Sequence, residues 1–138
     1  MITKSNLKNM LNSAGFSNVS NEMYEKYYPF SDCSITVDFR NEKINYPENN
    51  GFKVNIATTT NFSDPENFVV LECVNRLLDK GYRPENIELE RVWTLGHEQK
   101  GGRADICVTD QNGEMLFIVE CKTYGSEYNK EMKNILFD

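Results

Sequence analysis

Residues 103–122 read Arg103-Ala104-Asp105-Ile106-Cys107-Val108-Thr109-Asp110-Gln111-Asn112-Gly113-Glu114-Met115-Leu116-Phe117-Ile118-Val119-Glu120-Cys121-Lys122. Two runs that read as strands, Arg103–Thr109 and Met115–Lys122, flank Asn112-Gly113, the dipeptide most strongly tied to a tight two-residue hairpin. A type I′ turn there fixes the register. Gln111 faces Glu114, Thr109 faces Leu116, Cys107 faces Ile118, and Asp105 comes opposite Glu120. Cross-strand partners carry their β-carbons roughly 4.5–5.5 Å apart, so two carboxylates would share one spot on one face. Lys122, two residues on, projects from that same face because strand side chains alternate.

The apolar run Leu116-Phe117-Ile118-Val119 ahead of Glu120 predicts a strand buried on both sides. Like charges facing each other there are destabilising without compensation. A divalent cation compensates them. Mg²⁺, with Mn²⁺ able to substitute, is typically held by one or two carboxylates, with water and substrate phosphate filling the octahedron. A cation so placed polarises a phosphodiester and lowers the pKa of a bound water. Lys122 would stabilise the pentacovalent charge or, with a depressed pKa, help deprotonate the water.

Upstream, Ser63-Asp64-Pro65-Glu66 combines a capping residue, a first-turn proline and an acid that complements the helix dipole. The helix it predicts runs to about Lys80 and stops at Gly81, with Phe68, Leu71, Val74, Leu77 and Leu78 as its apolar stripe. Glu72 lies beside that stripe. It either reaches the acidic cluster as an extra carboxylate, binding metal directly or through water, or pairs with Arg76 at i+4. After a turn at Arg83–Asn86, Ile87–Thr94 alternates as a strand, and Glu90 on it is a further candidate acid. Arg103 faces Lys122 in the hairpin register and either touches phosphate or is a strand-edge charge. Gly96–Gly102 is a loop without the pattern of a phosphate-binding loop, and no Walker motif stands anywhere in the chain. His97, the only histidine, has no Ser or Cys partner and reads as a surface residue. A last helix is expected from Ser126, with Tyr128, Met132, Ile135 and Leu136 on one side.

The N-terminal part is plainer. A polar helix from Ser5 to Ser13 is expected to end at Gly15. Tyr24, Tyr27, Tyr28 and Phe30 form an aromatic cluster that reads as core. Ser34–Phe39 and Lys43–Tyr46 pair as a hairpin about Arg40-Asn41-Glu42. Phe52–Ala57 reads as a further strand, and Thr58–Asn61 as a polar connector.

The chain has 138 residues, enough for one domain. Residues 1–60 read as a helix and β-hairpin extension and residues 61–138 as the core that carries the site. No stretch matches the roughly 20 apolar residues of a membrane span, and no signal peptide is present, so the expected location is the cytoplasm. Cys33, Cys73, Cys107 and Cys121 form no C-x-x-C pair and read as reduced, buried thiols rather than zinc ligands. The net charge of -6 argues against gripping a nucleic-acid duplex by charge alone. The chain stops at Asp138 directly after Ile135-Leu136-Phe137, an apolar ending that reads as a cut inside a longer protein.

The stretch from Glu72 to Lys122 resembles the PD-(D/E)XK nuclease family, the restriction-endonuclease-like fold. Leu71-Glu72-Cys73-Val74, Ile87-Glu88-Leu89-Glu90, Gly102-Arg103-Ala104-Asp105-Ile106 and Ile118-Val119-Glu120-Cys121-Lys122 are similar to the N-terminal nuclease region of type I restriction enzyme R subunits and of related single-chain restriction-modification enzymes. The resemblance spans residues 63–138. It implies an α/β fold: a mixed central β-sheet flanked by helices, here with a small N-terminal β extension. It implies that Asp105 and Glu120 bind Mg²⁺, that Lys122 is catalytic, and that a helix glutamate, placed at Glu72, joins them as a further catalytic and metal-binding acid. It also implies cleavage of double-stranded DNA after ATP-driven translocation by a helicase module, with methyltransferase and specificity modules in the same polypeptide or complex. DNA grip from those modules accounts for the acidic balance of this chain. Two features depart from the family pattern. Ala104 stands where the motif has proline, and no Gln between Lys122 and Asp138 starts a Q-x-x-x-Y element. The competing reading is a nuclease-shaped module for assembly or DNA binding that keeps these residues without cutting. A third is an α/β regulatory domain with a small-ligand pocket.

Overall fold

A computed structural model of the chain describes residues 2–92 and 103–121. Leu7 and Leu11, one helical turn apart and fully buried, set helix α1 over Leu7–Ala14, and the chain leaves it at Gly15 as expected. Four strands follow: β1 (Ser17–Ser20), β2 (Met23–Tyr28), β3 (Cys33–Asp38) and β4 (Lys43–Asn45). They form an antiparallel sheet in that order. The expected hairpin is present as β3–β4, and β1 and β2 extend it into a full sheet. The aromatic cluster divides. Tyr24 and Tyr28 of β2 are buried, while Tyr27 and Phe30 are exposed, because alternation sends Tyr27 to the outer face.

A second four-stranded sheet has the order β5 (Lys53–Val54), β6 (Ile87–Val92), β7 (Arg103–Thr109) and β8 (Met115–Val119). β5 runs parallel to β6 and the other pairs are antiparallel, so this sheet is mixed. A parallel pair needs a long crossover, and helix α2 (Glu66–Asp79) lies in it. The Asp64 carboxylate accepts the Glu66 amide at 2.9 Å just ahead of the first turn. Gly81 ends the helix as the sequence predicts, with the Tyr82 amide donating back to the Leu77 carbonyl at 3.0 Å. Every position of the expected stripe is buried, and so are Val69, Val70 and Cys73, so α2 is enclosed on most sides.

One hydrophobic core runs from α1 through both sheets and α2 to Cys121. A polar tie crosses it. Lys26 Nζ of β2 donates to the Ala14 carbonyl at 2.6 Å, closing α1, and to Asn75 and Asp79 of α2, each at 2.9 Å. The buried Tyr28 hydroxyl donates to the same Asn75 oxygen at 2.6 Å, and burial pushes its pKa up. All four cysteines are buried and free of disulfides. No helix among the described residues is long and apolar enough to cross a membrane. Trp93 and Thr94 of the expected strand, the Gly96–Gly102 loop with His97, Lys122, and the helix expected from Ser126 lie outside the described residues, as does the side chain of Arg103.

Candidate active site

The β7–β8 hairpin reaches the expected pairing by another route. A type I′ turn requires positive φ at both central residues, and within this loop only Gly113 has it, at 84°. The loop is three residues long. The Gly113 amide donates to the Asp110 carbonyl at 3.0 Å and the Asp110 amide to the Glu114 carbonyl at 2.8 Å. The Asp110 carboxylate holds it by accepting the amides of Asn112 and Glu114 at 2.8 and 2.9 Å. Thr109 therefore pairs with Met115 rather than Leu116. Leu116 is then bulged out, and from Val108↔Phe117 inward the pairing runs through Cys107↔Ile118 to Ile106↔Val119. β8 ends at Val119, and the same register carried one step further would bring Asp105 opposite Glu120. The bulge cancels the extra turn residue.

The strand buried on both sides is β7, not β8. Ala104, Ile106, Cys107 and Val108 have no exposed surface, whereas Leu116 is 54 % exposed and Met115 and Ile118 are exposed with it. β7 lies between two strands, while β8 ends the sheet among the described residues.

Asp105 is half-buried, and its Oδ2 accepts the Cys121 backbone amide at 2.7 Å, so it grips the chain between Glu120 and Lys122. Cys121 is buried, with its sulfur 3.6 Å from that of Cys73 on α2. The Cys73 thiol and burial push the Cys121 thiol well above its ordinary range, and Asp105 adds to the rise. Glu120 itself is exposed.

Asp105 also lines a hollow of about 300 Å³ with Glu66 and Asn67 from the first turn of α2, Glu90 from β6, and Thr58 and Thr59 from the connector. Asn67 Nδ2 fixes the connector by donating to the Thr58 carbonyl at 2.7 Å and the Asn61 carbonyl at 3.0 Å. Glu72 is elsewhere. It lines a separate hollow with Met10, Ala14, Asn75 and Asp79, and its carboxylate lies 3.9 Å from Arg76 at i+4. The acid that α2 brings to Asp105 is Glu66, whose first-turn position was legible but reads from sequence only as a dipole complement. Among the described residues, no three His, Cys, Asp or Glu side chains stand close enough together to hold a metal ion. Asp105, Glu120 and Glu72 thus form no three-acid cage.

These observations define a mixed α/β chain with an acidic hollow, lined by Asp105, Glu66 and Glu90, at the start of the longest helix among the described residues. The family described as the type I restriction enzyme R protein N terminus matches residues 65–137, more than half of the chain, and the chain belongs to that family. No curated protein matches the chain. The family implies association with DNA and with the other restriction-modification subunits.

Proposed function

We propose that this chain is a restriction-endonuclease-like nuclease domain in which Asp105 and Glu120 hold Mg²⁺ and Lys122 completes the site for hydrolysis of DNA phosphodiester bonds. The observation that carries the reading is the register on β7 and β8. Its last pair is Ile106↔Val119, so the next step would bring Asp105 opposite Glu120 in a chain of the R-protein family, and Asp105 is bonded to the Cys121 amide between Glu120 and Lys122. The donors fit the cation in kind, since carboxylate oxygens are the hard ligands Mg²⁺ takes, one or two at a time. The cation, when bound, supplies Lewis-acid polarisation of the phosphate and a water of lowered pKa. Asp105 and Glu120 fix where the scissile phosphate sits. Lys122 brings a positive charge to the oxygens that gain charge as water adds to phosphorus and the leaving P–O bond breaks.

Glu66, rather than Glu72, is the helix acid of this site, because it shares the Asp105 hollow. Duplex grip and ATP-driven translocation come from a helicase module, with methyltransferase and specificity modules as its partners. That division fits a net charge of -6.

The test is incubation of the chain with supercoiled plasmid in Mg²⁺ or Mn²⁺, beside Asp105→Ala, Glu120→Ala and Lys122→Ala. Nicking by the wild type that each substitution removes is expected. Equal cutting by all four, or none by the wild type, favours the assembly or DNA-binding module without catalysis.

A further inference from the structure

Glu90 is only 2 % exposed. The pairs Leu89↔Ile106 and Arg91↔Ala104 bracket it, so Glu90 and Asp105 hold facing positions on β6 and β7. Glu120 stands just past the end of β8, and the β7–β8 pairing, carried one step beyond Ile106↔Val119, would bring it opposite Asp105. With that step, three acids would fall in one row, with Asp105 in the middle. Strand alternation alone would put Glu90 on the same face as Glu88. Instead its backbone is left-handed, at φ 56°, and the side chain turns inward while the register continues unchanged on either side. That conformation is uncommon for a residue with a side chain and persists only where the surroundings impose it. The carboxylate lines the Asp105 hollow, and Thr58 Oγ1 donates to its Oε1 at 3.2 Å. Thr59, also 2 % exposed, lines the same hollow, and its hydroxyl has no hydrogen-bond partner among the described residues. A buried hydroxyl of that kind calls for a water or a ligand.

We propose that Glu90 is a positioning residue for the cation site, holding the hydrated Mg²⁺ through its bound water beside Asp105. The inference rests on the reading of Asp105 and Glu120 as the cation's acids. The water link follows from two facts. The described acids do not close into a three-acid cage, and Mg²⁺ dehydrates reluctantly, keeping several waters. A carboxylate that accepts from such a water orients it, and the same water layer gives the Thr59 hydroxyl its partner. Groups of this outer kind typically change metal affinity about 10–100-fold.

The test is a Mn²⁺ titration followed by the electron-spin signal of the free ion, on the full chain and on Glu90→Gln, Glu90→Asp, Asp105→Asn and Glu72→Gln. Circular dichroism without metal checks each fold. Saturable binding by the wild type is expected, lost in Asp105→Asn, unchanged in Glu72→Gln and weakened about tenfold or more in Glu90→Gln. Glu90→Asp keeps the charge one methylene short, so its affinity should fall between those of Glu90→Gln and the wild type. Should Glu90→Gln not fold, a several-fold loss in Glu90→Asp carries the same weight. Wild-type affinity in folded Glu90 variants, with Asp105→Asn still losing the ion, overturns the inference and leaves the nuclease reading standing. No saturable binding by the wild type, or none lost in Asp105→Asn, overturns both.

Discussion

Asp105 and Cys121 are joined by a 2.7 Å hydrogen bond from the Cys121 amide to a carboxylate oxygen, which ties the central strand β7 to the chain leaving β8. One side chain thus both belongs to the proposed cation site and sets the position of the segment that supplies its neighbours. Asp105→Ala should lower stability by about 1–2 kcal/mol, because the amide loses a charged acceptor. Asp105→Asn should cost less, since an amide oxygen still accepts, yet remove cleavage as fully. Urea denaturation beside plasmid nicking separates the two effects.

The two glutamates of α2 should behave differently. Glu72 lines its own hollow and lies 3.9 Å from Arg76, an i,i+4 ion pair worth about 0.5 kcal/mol or less. Glu72→Ala should leave DNA cutting unchanged and barely move the denaturation midpoint. Glu66→Ala should reduce cutting, because Glu66 shares the hollow of Asp105.

Asn75 takes two donors on one oxygen, from the Tyr28 hydroxyl and from Lys26 Nζ. Asn75→Ala removes the acceptor while both donors stay inside the fold. A loss of about 1–3 kcal/mol is expected, measured by thermal or urea unfolding. Tyr28→Phe, which removes one donor and leaves none stranded, should cost less.

Gly51 has φ 115°, and a β-carbon there would stand 2.8 Å from Glu85 Cβ and 2.9 Å from Glu85 backbone atoms. Backbone cannot swing aside as a side chain can. Gly51→Ala should destabilise by more than the about 1 kcal/mol that a glycine-to-alanine exchange at a tolerant position would gain, read as a lowered melting temperature.

Much of this architecture is legible in the sequence, for local physical reasons. The cap chemistry of Ser63–Glu66 and the stop at Gly81 mark α2, and the pairing of Cys107 with Ile118 is the one a tight turn at Asn112-Gly113 predicts, although the chain reaches it through a different turn. The turn type does not follow. The Asp110 carboxylate bonds two loop amides, favouring a three-residue loop, and a bulge at Leu116 then restores the register. The place of Glu90 is hidden for another reason: a left-handed residue inside a strand leaves no trace in an alternation pattern. Glu72 and Glu66 lie six residues apart on α2, and position beside the apolar stripe could not tell which one reaches the hollow beside Asp105. That depends on how α2 packs against β7, a tertiary fact.

Anomalous diffraction from crystals of the chain soaked in Mn²⁺ tests the cation site most directly. One peak is expected, bound by carboxylate oxygens of both Asp105 and Glu120, at about 2.1 Å, near the octahedral Mg²⁺–oxygen distance. A peak that touches neither acid, or clear density for both side chains pointing apart with no ion between them, would contradict it.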